Sequence, residues 1–217
     1  MITKPGLAGP ALPLLLMLGA CASTAEQPAV VMTPVAEDPS AWRQVARPED
    51  IDRLARLDQA WTAALSEARS AGFESAIAEE GELLQPEAAL PRGEPPPGSY
   101  RCRVIKIGSQ DEDHPAYIAY KPFFCHVAVE GELLTIVKQT GSQRPAGRLY
   151  PESDERMIFL GTMALGNEDE PLPYGEDSER DMVGVVERVG PFRYRLVVPW
   201  PRTDSKLDVF ELVPATP

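Results

Sequence analysis

The sequence predicts a mainly β chain: an antiparallel barrel of about eight strands preceded by an N-terminal helical segment. Three observations predict it. After the hinge "PRGEPPPGS" at residues 91–99, apolar and polar residues alternate in short runs broken by Gly, Pro and Asp. Before the hinge, one long stretch repeats its apolar residues at three and four instead of at two. The 23 prolines are about twice the usual share, which demands many stiff loops. A two-sheet sandwich built from the same strands is the competing architecture.

The helical stretch "RPEDIDRLARLDQAWTAALSEARSAG" places Ile51, Leu54, Leu57, Trp61, Leu65 and Ala68 on one stripe. Pro48, Glu49, Asp50 and Asp52 suit a first turn, and Gly72 suits a stop. "FESAIAEEGELL" predicts a shorter helix with Phe73, Ile77 and Leu84 inward. Such stripes need cover, so the helices are expected to pack on the barrel. Its strands are "SYRCRVIKI", "YIAYKPFFCHVAVE", "ELLTIVKQT", the short "AGRLYP", "RMIFLGTMAL", "DMVGVVERVG", "FRYRLVVPW" and "SKLDVFELV". The expected boundaries are a signal peptide over 1–20, a tether over 21–46, a helical segment packed on the barrel over 47–90, and the barrel over 97–215. The tether has a rival reading as an arm packed on the domain, because "AVVMTPV" is apolar. Trp200, between Pro199 and Pro201, is expected to cap the barrel end, with an interface aromatic as the alternative.

The first residues bear on location. Lys4 is the only charge before Glu26, and the apolar run Ala11–Leu18 is too short to cross a bilayer as a helix. This is a secretory layout. Leu18-Gly19-Ala20-Cys21 resembles the bacterial lipobox, in which the signal peptidase cuts before the cysteine, whose thiol carries a diacylglycerol. The alternative is ordinary cleavage, for instance after Ala22. No acidic residue follows Cys21, which by the same resemblance favours the periplasmic face of the outer membrane. The expected membrane partner is then that bilayer, reached through the lipid on Cys21.

Beyond Cys21 only Cys102 and Cys125 remain, an even pair in an exported chain. An oxidising compartment favours a disulfide. Both fall on the parity of their apolar neighbours, so both are expected to point into the core. Closing a loop of about 23 residues stabilises the fold by about 3 kcal/mol in the chain-entropy model. A nucleophilic cysteine needs a nearby base, and His126, next to Cys125, faces the opposite side of a strand. Two histidines and two cysteines at these spacings match no zinc pattern. No metal or other cofactor is expected.

A net charge of −12 argues against nucleic acid as a partner. No nucleophile elbow, phosphate loop or dinucleotide glycine pattern is present in the sequence, and only His114 and His126 are available for imidazole chemistry. "GNEDEPLPYGEDSERD" gathers Asn167, Glu168, Asp169, Glu170, Glu176, Asp177, Glu179 and Asp181. It is read as a solvated loop, with calcium binding or paired catalytic carboxylates as the sharper alternatives. "KQTGSQRPAGRLYP" differs, being locally basic in an acidic chain. Ser142, Gln143, Arg144 and Arg148 are the candidate partner-binding residues, because a guanidinium meets a carboxylate with two parallel hydrogen bonds. The plain alternative is a hairpin with Gly141 in its turn.

"PPPGSYRCRVIKIG", "FFCHVAV", "KQTGSQRPAGRLYP", "FLGTMALG", "YGEDSERDMVGVVERVG", "FRYRLVVPWP" and "SKLDVFELVP" together resemble the bacterial envelope proteins of domain-of-unknown-function family 4893, over about Trp42 to Pro214. That resemblance implies an exported protein and transfers no catalytic residue. Tyr100-Arg101-Cys102 is also loosely similar to the first strand of the small calycin-like lipoprotein barrels that inhibit lysozyme. Three functional classes are compatible with these readings: a non-catalytic binding or structural module with an envelope protein or small ligand as partner, an inhibitor of lysozyme or another envelope hydrolase, and a hydrolase using the acidic loop. A solvent-open barrel interior favours a small ligand, whereas a filled one favours protein contact.

Overall fold

A computed structural model describes residues 38–111, 113–166 and 168–215. The helical part comprises α1 (Trp42–Val45), α2 (Pro48–Ala55), α3 (Leu57–Ser70), α4 (Glu74–Glu79) and a 3-10 turn at Gly81–Leu84. The strands are β1 (Gly98–Ser109), β2 (Tyr117–Ala119), β3 (Phe123–Glu130), β4 (Leu133–Lys138), β5 (Gln143–Pro151), β6 (Arg156–Leu165), β7 (Asp181–Gly190), β8 (Arg193–Pro199) and β9 (Ser205–Pro214).

Every pairing is antiparallel. β1 and β3 to β9 form a meander that closes where β9 pairs with β1 along nearly its whole length, from Tyr100↔Pro214 to Ser109↔Ser205. The result is an eight-stranded closed barrel, and β2 is the extra strand. Closure leaves no long edge to template pairing with another chain.

Three elements differ from the sequence expectation. The long helix is two helices, broken at Arg56, whose φ of −102° and ψ of 18° leave the helical region. Trp200 holds the break: its indole N–H donates to the Arg56 carbonyl at 3.3 Å, and the Arg56 guanidinium lies 5.5 Å from its ring. The break lets α2 lie on β7 while α3 crosses β1 and β9. The run 117–130 is likewise two strands. From Cys102↔Phe123 to Ile105↔Ala119, β1 advances three residues and its partner four, so one residue is extra around Lys121-Pro122. Packing also starts before residue 47, since Trp42 is buried at 2% exposure. The earlier part of the expected tether, with Cys21 and the signal peptide, lies outside the described residues.

Two cores share the sheet. Inside the barrel pack Tyr100, Cys102, Val104, Cys125, Val127, Ile136, Leu149, Phe159, Met182, Leu196, Phe210 and Leu212. Cys102 and Cys125 form the expected disulfide with Cα atoms 6.0 Å apart, a diagonal pair between β1 and β3. On the outside, Ile105, Ile107, Ile158, Leu160, Val183, Val185, Val197, Leu207 and Val209 meet Leu57, Trp61, Ala64, Leu65, Leu83 and Leu84 of the helical part. Strands β6 to β9 are therefore buried on both faces. That is why "RMIFL" and "MVGVV" read as continuous apolar runs instead of alternating.

Paired glycines let the wall curl around this interior. Gly147 and Gly161 face each other across β5 and β6, beside the Phe159 ring. A Cβ on Gly147 would sit 2.5 Å from both the Gly161 Cα and the Leu160 carbonyl oxygen.

Candidate functional site

The barrel interior is filled. The void among Phe123, Cys125, Ile136, Lys138, Leu196 and Phe210 amounts to about 10 Å³, roughly the lower limit for one water molecule. Within the described residues, the outer surface of the barrel is where a binding partner larger than a water molecule can be met.

That surface is covered unequally. The helical cluster includes no side chain from β3 or β4. Phe124 is 54% exposed there, beside half-buried His126, Thr135 and Val137. Next to this bare face lies a groove of about 340 Å³. Its floor is the outer side of β4 to β6, with Thr135, Val137, Ala146 and Leu160; its wall is the loop Pro171-Leu172-Pro173-Tyr174; and Val45 and Arg148 also line it.

A buried polar network fixes the wall. The Tyr174 hydroxyl donates to Asp50 Oδ2 and accepts from the Arg47 amide at 2.9 Å. Arg47 donates to the Gly175 carbonyl and pairs with Asp181, Nε to Oδ2, at 2.9 Å. The Gly175 amide donates to Asp181 Oδ1 at 2.9 Å. Arg53 Nε donates to Asp50 Oδ1 at 3.0 Å, and its Nη2 reaches the Asp181 carbonyl at 3.2 Å. Two aspartates thus balance two arginines, as buried charge requires. Burial first, with the Asp50 carboxylate beside it, pushes the Tyr174 phenol well above its usual range. The phenol stays protonated and acts as a donor.

The four sequence-predicted partner residues do not form one cluster. Gln143 to Pro151 is a strand, so Arg144 and Arg148 share its outer face about 13 Å apart along the chain. Ser142 and Gln143 are exposed at the turn. Arg144 is half-buried and donates to the carbonyls of Gly141 at 3.1 Å and Glu168 at 2.6 Å. Arg148 pairs with Glu130, Nη2 to Oε1, at 2.6 Å, with both side chains about half exposed.

The acidic loop is organised by Arg180, which bonds Glu168 Oε1 at 2.5 Å and Asp177 Oδ2 at 2.9 Å. Those bonds hold both carboxyls below their usual range. Among the described residues, no three metal-ligating side chains gather.

Sequence reasoning missed the charges buried in the strands. Arg195 is wholly buried; it bonds Glu187, Nε to Oε2, at 2.8 Å and donates to the carbonyls of Leu83, Gln85 and Pro86 at 2.7–3.1 Å. This ties the end of the helical segment to β8. Glu211 similarly accepts from Arg103 and Arg193, and Arg103 reaches on to Glu80. Asp208 lies buried inside the barrel end, bonded by the Ser205 hydroxyl, with Lys106 Nζ 4.0 Å away. The available signal was parity: Lys106 shares that of Val104, and Asp208 that of Phe210 and Leu212.

The family model for a domain of unknown function, DUF4893, matches residues 42–212. The chain belongs to this family. No curated protein and no solved structure matches it. The family region opens at buried Trp42 and closes in β9 at Leu212, and it contains the groove, the disulfide and the buried charge networks of Asp50, Arg195, Glu211 and Asp208. It is therefore one packed unit of helices and barrel.

Proposed function

We propose that this protein is a lipid-anchored envelope protein, held through Cys21 at the periplasmic face of the outer membrane, and that it acts as a non-catalytic binding module. The barrel is the scaffold; the bare face of β3 and β4 and the adjoining groove are the contact surface for another envelope protein. One observation carries this reading: the interior is filled, whereas the outer face of β3 and β4 is left uncovered by the helices and adjoins a groove that runs up to Val45 of α1. A groove with an apolar floor and an ion pair at its rim suits an extended segment bearing one or two apolar side chains. The lipobox-like Leu18-Gly19-Ala20-Cys21 supports the anchor. The Cys102–Cys125 disulfide suits an oxidising compartment. Against Glu168 and Asp177 as general acids of a hydrolase stands Arg180, whose bonds hold both carboxyls below their usual range.

Thr135→Arg fills the groove from a half-buried position on the outer face. Affinity capture from envelope extract with the full chain should recover a partner that this variant loses while its melting temperature is kept. Equal recovery by both chains contradicts the groove as contact surface. For the anchor, cells fed radiolabelled palmitate should label the wild-type chain and not Cys21→Ser. Equal labelling removes the lipid from the proposal.

A further inference from the structure

Lys138 is out of place among its neighbours. It lies on the inward parity of β4 with Ile136, at the barrel end lined by Phe123, Cys125, Pro145, Leu196, Phe210 and Leu212. Its ammonium stands 4.3 Å from the centre of the Phe123 ring. Lys106 and Lys206 each meet a carboxylate, Asp204 and Glu67 respectively. Among the described residues, no carboxylate lies within 4 Å of Lys138 or of Arg144. Both cations converge on the β4–β5 turn. Arg144 Nη1 donates to the Gly141 carbonyl at 3.1 Å, and a Cβ on Gly141 would sit 3.5 Å from Lys138 Nζ. Gly141 has a φ of +99°, which suits glycine and keeps that approach open. Glu168 offers Arg144 its backbone carbonyl, while its carboxylate is spent on Arg180 and the Leu165 amide.

Two neighbouring cations with no ion-paired carboxylate repel each other, and desolvation aggravates the cost; the Glu168 carboxylate, bonded to Arg180, feels the Arg144 charge only through space. The Lys138 amine shows both effects: burial first, then Arg144, pulls it below its usual range. In a chain of net charge −12 the fold has nonetheless placed them together. A bound anion offsets the repulsion and gives the half-buried ammonium the charged partner that Lys106 and Lys206 already have, whereas Lys121, also without an ion pair among the described residues, is exposed to solvent.

We propose that the β4–β5 turn is an oxyanion-binding site, in which a phosphate group bridges Lys138 and Arg144 beside the Gly141, Ser142 and Gln143 backbone. The site is independent of the groove, because Arg144 and the groove-lining Arg148 stand apart on β5. Lysine supplies a point charge with three donors. Arg144, already holding two carbonyls, adds its remaining N–H groups, so the contact is to a single phosphate group and not to an extended polyanion.

Amide NMR of the full chain, titrated with inorganic phosphate against sodium chloride at matched ionic strength, tests this. Saturable shifts confined to Gly141, Ser142 and Gln143 are expected with phosphate. They should be lost in Lys138→Met, a substitution suited to the apolar surroundings of Lys138, and weakened several-fold in Arg144→Gln. A second arm adds phosphatidylglycerol vesicles, with co-sedimentation as the readout. Response to free phosphate makes the ligand a soluble phosphate compound; Lys138-dependent sedimentation without it makes the ligand a lipid headgroup. Equal shifts with chloride, shifts that persist in Lys138→Met, or no response in either arm overturn the site.

Discussion

Asp208 shares the inward parity of β9 with Phe210 and Leu212, and burial dominates its behaviour. Its carboxyl, ordinarily near 3.8, is pushed up to about 6, against the opposing pull of Lys106 and the Ser205 hydroxyl. The folded chain therefore binds this proton more tightly than the unfolded chain does. The stability it contributes is complete below about pH 4 and is lost as pH rises through about 6. Asp208→Asn keeps an acceptor for Ser205 and carries no charge. Denaturant unfolding should show the variant gaining on wild type between pH 4 and pH 7 by on the order of 2 kcal/mol. A difference that stays constant with pH contradicts this account. Arg195 presents the reverse case. Arg195→Ala leaves the buried Glu187 to Arg156 alone, which bonds its Oε1 at 2.9 Å, and frees three carbonyls at the end of the helical segment, so the lower end of the range for a broken buried pair is expected. Removing one partner of a buried pair costs about 3–5 kcal/mol. A loss below about 1 kcal/mol in the same measurement would show that helix and barrel do not depend on this contact.

The elements themselves were mostly legible. Strict alternation around Cys102 and Cys125 placed both sulfurs inside, and the three-and-four repeat from Ile51 to Ala68 gave the helices their buried stripe. What the sequence hid were features set by distant partners. The helix break at Arg56 depends on Trp200, 144 residues away. The split between β2 and β3 depends on how β1 divides its pairing. The groove depends on where Pro171 to Tyr174 settles, which is decided by Asp50 and Arg47 on and beside α2. Arg144 and Arg148 read as one basic loop because the sequence does not show that a strand holds them apart. Two variants examine this scale. Gly161→Ala places a Cβ against the Ala146 carbonyl and the Gly147 Cα, where backbone and not flexible side chain must yield. A loss of about 2 kcal/mol or more is expected, in the range of overpacked cores. Tyr174→Phe removes the donor to Asp50 and should raise amide exchange across residues 170–176 while leaving β8 and β9 protected. Uniform exchange changes, or none, contradict the role of this bond in holding the groove wall.

At the scale of the whole molecule, a short-range meander is closed by β1, whose first half also carries one end of the disulfide. Because Cys102 and Cys125 are 23 residues apart, replacing both by serine should lower stability by about 3 kcal/mol. The barrel should still fold, since its closing seam runs between β1 and β9. The helices insulate one side, the interior is full, and the bare side with its groove is the face proposed above as the contact surface. This division of the surface is the central claim. Its most direct test is a scan in living cells, with a photo-reactive amino acid placed singly around the full chain. Positions 124, 135, 137 and 148 sample the bare face and groove, and positions 62 and 69 sample the exposed side of α3. Discrete adducts from the first group, absent from the second, are predicted. Adducts arising from α3 alone, or equally from all positions, would contradict it.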